Sequence, residues 1–143
     1  MKKIILVGVG VFLSLVSQSE LLKETMRMAE NERFESAKSS FRNLIVAEPI
    51  NGNIYYYFGE TYFNQSLTLR DTAFARVLKD SANIMYKKGS EVDPANPLNF
   101  VGLGKILWYN KYQNQAEVLF KQALDMTKNK NATVMLKIAE TYI

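Results

Sequence analysis

The chain has 143 residues, 48% of them apolar and 22% charged, with a formal net charge of +4. That balance suits one folded domain with a moderate core and gives no reason to expect disorder. Cysteine and histidine are both absent, which excludes disulfides, Cys/His metal sites, cysteine nucleophiles and His-dependent triads, while a carboxylate-only metal site or a carboxylate pair stays formally open. Lys2 and Lys3 supply half of the positive excess, so the remainder is too balanced to point to nucleic acid or an anionic membrane surface.

Residues 1–19 read as a separate object. Lys2-Lys3 precede an apolar run from Ile4 to Val16, and Ser17-Gln18-Ser19 follow it. The run is shorter than the roughly 20 residues needed to cross a bilayer, and its flanks match a secretory signal peptide. Cleavage is expected after Ser19, with Ser17 as an alternative; an uncleaved anchor or a buried first helix is the competing reading. Gly8-Val9-Gly10 lacks the third glycine of a dinucleotide fingerprint, and the apolar run explains it better.

From Glu20 to Asn31, Leu21, Leu22, Thr25, Met28 and Ala29 recur at helical spacing. A second helix is expected over about 32–47, with Phe34, Ala37, Phe41, Leu44 and Ile45 on one face. Pro49 and the turn Asn51-Gly52-Asn53 end it. The next segment, Asn53 to about Asn64, is rich in β-prone aromatics. Tyr55, Phe58, Gly59 and Tyr62 nevertheless fall at i, i+3, i+4 and i+7, and Gly59 would weaken a strand, so a helix is predicted.

Ser66 to Asp71 reads as a loop, with Asp71 as N-cap of a long helix reaching about Glu91. Its apolar stripe is Ala75, Leu78, Ala82, Met85, Tyr86 and Gly89. Pro97 near the first helical position opens a helix to about Asn110. After a turn at Tyr112–Asn114, another helix runs from Gln113 to about Thr127. Lys128-Asn129-Lys130-Asn131 is a polar connector, and Ala132 to Ile143 starts a further helix.

Aligned by helix ends, these segments repeat. Ala37-x3-Phe41 precedes Pro49. Tyr55-x2-Phe58-Gly59-x2-Tyr62 is followed by Ala82-x3-Tyr86 and Pro94. Phe100-x2-Leu103-Gly104-x2-Leu107 is followed by Ala116-x3-Phe120 and Ala123, and Met135-x2-Ile138-Ala139-x2-Tyr142 begins another copy. The pattern resembles the tetratricopeptide repeat (TPR), whose signature is W-x2-L-G-x2-Y, then A-x3-F, then P, over about 34 residues. The resemblance covers about 18–143. Thr25 and Met28 stand where Gly and Tyr are usual, which suggests a cap. About eleven extra residues lie between Tyr62 and Ala82, in longer helices or in a longer loop, and Lys128 replaces the closing proline.

The resemblance implies an all-α solenoid of antiparallel helix hairpins: about three TPR-like repeats, 18–51, 52–96 and 97–131, plus the start of a fourth at 132–143. After removal of residues 1–19, the helical domain would span 20–143 without a membrane span. The family uses the groove lined by its leading helices to hold peptides or helices. Carried over position by position, the partner-binding candidates are Asn53, Tyr56, Glu60, Phe63 and Asn64, then Val101, Lys105, Trp108 and Tyr109. Trp108 and Tyr109 are favoured anchor types, although Trp108 has a competing role in packing against an adjacent helix. Glu60 and Lys105 occupy equivalent positions in successive repeats and are expected to pair with each other. The Lys/Asn carboxylate clamp of some family members is not seen.

The carboxylates are scattered and read as a solvated face. No Gly-rich phosphate loop exists, and neither the sequon Asn131-Ala132-Thr133 nor Asp71-Thr72-Ala73 and Asp80-Ser81-Ala82 weighs as a modification site. The expected function is therefore a non-enzymatic interaction scaffold, exported to the periplasm or cell envelope, binding a protein or peptide and needing no cofactor or metal. The rival is an accessory repeat module of a longer envelope protein or enzyme; self-association through end-repeat surfaces is a further possibility.

Overall fold

The computed structural model describes residues 17–143. Residues 1–16, most of the expected signal peptide, lie outside the described residues, and 17–19 open the first helix. Seven helices succeed one another, with no strand among the described residues. They are α1 (17–30), α2 (Phe34–Ala47), α3 (Gly52–Thr68), α4 (Thr72–Val92), α5 (Pro97–Tyr109), α6 (Gln113–Met126) and α7 (Ala132–Thr141). The pairs α1/α2, α3/α4 and α5/α6 are antiparallel hairpins, and α3 also packs on α5, and α5 on α7. This is an all-α solenoid.

Each leading helix after the first starts on an asparagine. Asn51 accepts from the Asn53 N–H, Asn96 from Leu98 and Asn131 from Val134, so each side chain satisfies one amide that the first turn leaves free. Asp71 caps α4 as predicted, accepting from Ala73 and Phe74 at 2.9 and 3.1 Å. The turns α1/α2 and α5/α6 are built alike. Glu32 and Lys111 take left-handed φ values of 58° and 70°. The next amide then reaches back, Arg33 to the Met28 carbonyl and Tyr112 to the Leu107 carbonyl, both at 2.9 Å.

The loop expected over Ser66–Asp71 is shorter than predicted, because α3 continues to Thr68. Ser66 donates to the Phe63 carbonyl at 2.6 Å and Thr68 to the Gln65 carbonyl at 2.8 Å, so these polar side chains close on their own helix. The extra residues of the second repeat lengthen its helices rather than its connection.

Packing follows the small-against-aromatic rule in the second and third hairpins. A Cβ added at Gly59 would stand 2.4 Å from the Tyr86 ring, and one at Gly102 would stand 2.3 Å from the same ring. Tyr86 of α4 is thus wedged between α3 and α5. Phe120 of α6 lies equally close to Gly104 and also meets Tyr142 just beyond α7, at 5.9 Å between ring centroids. In the first hairpin Thr25 takes the glycine position and bonds Ser40 Oγ at 2.6 Å, while Phe41 stacks on Phe58 of the next repeat at 5.4 Å. Phe41 and Tyr86 are fully buried, and burial of a side chain of this size contributes about 1.5–3 kcal/mol. Each trailing-helix aromatic therefore fastens its hairpin to the next.

Candidate functional site

The leading helices α1, α3 and α7 enclose a hollow of about 190 Å³. Successive turns of α3 present Tyr57, Thr61 and Asn64 to it, the i, i+4 and i+7 positions of one stripe. Met26, Ala29 and Glu30 face them from α1, Lys137 approaches from α7, and Phe41 contributes from below. Glu60 also reaches the hollow, although its carboxylate is mostly buried.

Behind that surface, Glu60 joins three helices. Lys105 Nζ of α5 donates to both of its oxygens, at 2.7 and 2.8 Å. The Tyr86 hydroxyl of α4 donates to Oε1 at 2.6 Å. The ammonium of Lys105 also sits 5.1 Å from the Phe63 ring centroid. Burial, and then the Glu60 charge, pushes the Tyr86 hydroxyl well above the usual tyrosine range, so it remains a donor. The pairing expected of Glu60 and Lys105 is thus present. Removing two charges from water is costly, and this geometry offsets that cost with three charge-assisted bonds.

The field around the hollow is acidic. Burial pulls the Lys137 ammonium down, but its bond to Glu140 and the charges of Glu140 and Glu60 outweigh that and leave it raised. Burial pushes the Tyr57 hydroxyl up; Lys137 opposes the shift, and Glu60 and Glu30 add to it. Glu30 has no ion-pair partner among the described residues.

The nine residues carried over from the repeat separate into groups. Tyr56, Phe63 and Val101 are core, with exposures of 0%, 2% and 0%. Lys105 is held in the buried pair. Asn53 sits elsewhere, in the α3–α5 corner, where its side-chain oxygen accepts from Asn96 Nδ2 at 2.8 Å. Trp108 is half-buried, edge-on to Tyr142 at 4.6 Å, so the packing role is the one seen. Tyr109 is partly exposed and edge-on to Phe63 at 5.0 Å. Only Glu60 and Asn64 meet in the hollow.

Met26, Glu30, Tyr57, Thr61 and Lys137 also line the hollow, although the repeat pattern does not single them out. The consecutive tyrosines Tyr55-Tyr56-Tyr57 carry the signal, because the third of them shares its stripe with Thr61 and Asn64. Among the described residues there is no group of His, Cys, Asp or Glu able to hold a metal ion, and no helix long and apolar enough to cross a membrane.

No protein-family model and no curated protein matches the sequence. Solved structures do match the fold. The type III secretion translocator chaperone SycD of Yersinia enterocolitica superposes with a TM-score of 0.65 at 15% identity, over 88% of this chain and 92% of that one. The TPR domain of Arabidopsis OM64 gives 0.62 at 12% identity, over 87% and 93%.

The chain has a TPR-like fold. The helix pairs, the glycine-to-aromatic contacts and the hollow lined by leading helices are the features of that fold described above. At these identities the likeness concerns architecture, and the TPR-like hollow owes its lining to this sequence alone.

Proposed function

We propose that the chain is an exported, non-enzymatic scaffold of the periplasm or cell envelope that holds a segment of another protein, or a peptide, against its leading helices. The hollow between α1, α3 and α7 carries this reading, because its apolar walls and polar rim are offered by the helices that a TPR-like solenoid turns toward a ligand. The Yersinia neighbour is named as a chaperone of a secretion translocator, and a polypeptide client is the corresponding occupant here. Export rests on Lys2-Lys3 and the apolar run that follows. On this reading 1–19 is removed and 20–143 is the working domain.

A library of unstructured displayed peptides panned on the immobilised protein tests the reading. The expected result is a recurrent consensus whose binding Asn64→Arg abolishes, because Asn64 is exposed on the wall of the hollow and tolerates replacement without loss of fold. Peptides that bind Asn64→Arg equally well, or no enrichment at all, contradict it.

A further inference from the structure

The hollow differs from a general apolar groove in two respects, its size and its charge. At about 190 Å³ it accommodates one long side chain rather than a length of backbone. Its walls are Met26, Ala29, Phe41 and the Tyr57 ring, and Glu30 stands at its rim. The local charges are nearly all engaged. Glu60 is held by Lys105 and Tyr86, and Lys137 bonds Glu140 at 2.9 Å. Of the three charged residues that line the hollow, Glu30, Glu60 and Lys137, only Glu30 has no ion-pair partner among the described residues. The surplus charge at the mouth is therefore negative.

We infer that this hollow receives one basic side chain, arginine or lysine, from an extended segment of the client. Its aliphatic stem lies along Met26 and Ala29, and its charge meets Glu30 beside Tyr57. Such a side chain matches both halves of the site: an apolar stem that snorkels past apolar walls, and a cation for the free carboxylate and the aromatic ring. A purely apolar side chain would desolvate Glu30 without compensation. An acidic one would compete with Glu140 for Lys137 and face Glu30 and Glu60. Lys137 is thus a tuning residue: its positive charge at the mouth weakens binding of the incoming cation.

This inference rests on the groove reading above, and the test separates the two. The full chain, labelled at its methionine methyls with Met26 assigned through Met26→Leu, is titrated with three capped amino acids: N-acetyl-arginine amide, N-acetyl-norleucine amide and N-acetyl-glutamate amide. The arginine probe is expected to shift the Met26 methyl at the lowest concentration. Glu30 is exposed, so Glu30→Gln raises that concentration by about threefold to fivefold, the scale of an exposed ion pair. Lys137→Gln lowers it. Norleucine acting as well as arginine, or indifference to Glu30→Gln, overturns the inference. If panned peptides still displace one another at the hollow in that case, the groove reading stands and only the basic anchor falls. If no ligand perturbs Met26, both fall.

Discussion

The second and third hairpins share one plan and differ in what they bury. Both set a glycine of the leading helix against an aromatic ring of the trailing one, Gly59 against Tyr86 and Gly104 against Phe120. Tyr86 brings a hydroxyl, and with it a buried polar knot of Glu60 and Lys105 spanning three helices. Phe120 brings none, and the third hairpin closes on apolar contact alone. The difference shows that the glycine–aromatic contact is enough to set a hairpin, while the polar knot does something additional. It fixes α3 against α5 and places a carboxylate at the floor of the hollow.

The two hairpins should differ most at the ion pair. Lys105→Met leaves Glu60 buried with only the Tyr86 hydroxyl, and should cost roughly 3–5 kcal/mol in denaturant unfolding. The double variant Glu60→Leu/Lys105→Met should recover most of that loss, because it removes both desolvated charges. A Lys105→Met protein as stable as the parent would show that the pair does not hold α3 to α5.

Glycine replacement gives the next largest effect. Gly59→Ala drives a methyl into a ring that Gly102 confines from the other side, whereas Phe120 is held by a glycine on one side only. Overpacking of this kind costs about 1–3 kcal/mol, and Gly59→Ala should lie above Gly104→Ala within that range. Gly104→Leu should exceed both. Equal melting temperatures for the two alanine variants would remove the distinction.

Alkaline pH separates the hairpins more gently. The Tyr86 hydroxyl is raised in the folded chain by burial and by Glu60, so its proton is held more tightly folded than unfolded. Its contribution is fully present below the unfolded value of about 10 and is lost as pH rises beyond it. Tyr86→Phe should therefore flatten the fall in stability between about pH 10 and 12, and Phe120→Tyr has no reason to reproduce the wild-type slope. The smallest effect lies in the turns. Lys111 holds φ 70° at a position that glycine occupies without strain, so Lys111→Gly should raise stability by about 0.5–1 kcal/mol, with Tm as the readout.

Most of the scaffold was legible in the sequence. Helix faces, the paired glycines, Ala82-x3-Tyr86, Ala116-x3-Phe120 and the Asp71 cap all follow from spacing, because burial of a helical face repeats every three to four residues. The asparagine starts at Asn51, Asn96 and Asn131 mark the repeat as well, each as an N-cap. Ser66 and Thr68 misled because their hydroxyls bond to their own helix, where composition suggested a loop.

The site was less legible. Repeat positions transfer a helix's register but not which of three consecutive tyrosines meets the groove, and one residue turns a helix by about 100°. Tyr56 went to the core and Tyr57 to the hollow. The contribution of Lys137 depends on how closely α7 returns toward α1 and α3, which spacing along the chain does not encode.

The proposed function places recognition on the leading helices. A panned peptide titrated into isotope-labelled protein tests it, with the amides of the exposed α4 face as an internal rival, because Phe74, Val77 and Ile84 expose apolar surface on that trailing helix. Saturable shifts centred on Met26, Tyr57, Thr61 and Asn64 are expected, with Phe74, Val77 and Ile84 unmoved. Shifts centred on Phe74, Val77 and Ile84, with the hollow silent, would contradict it.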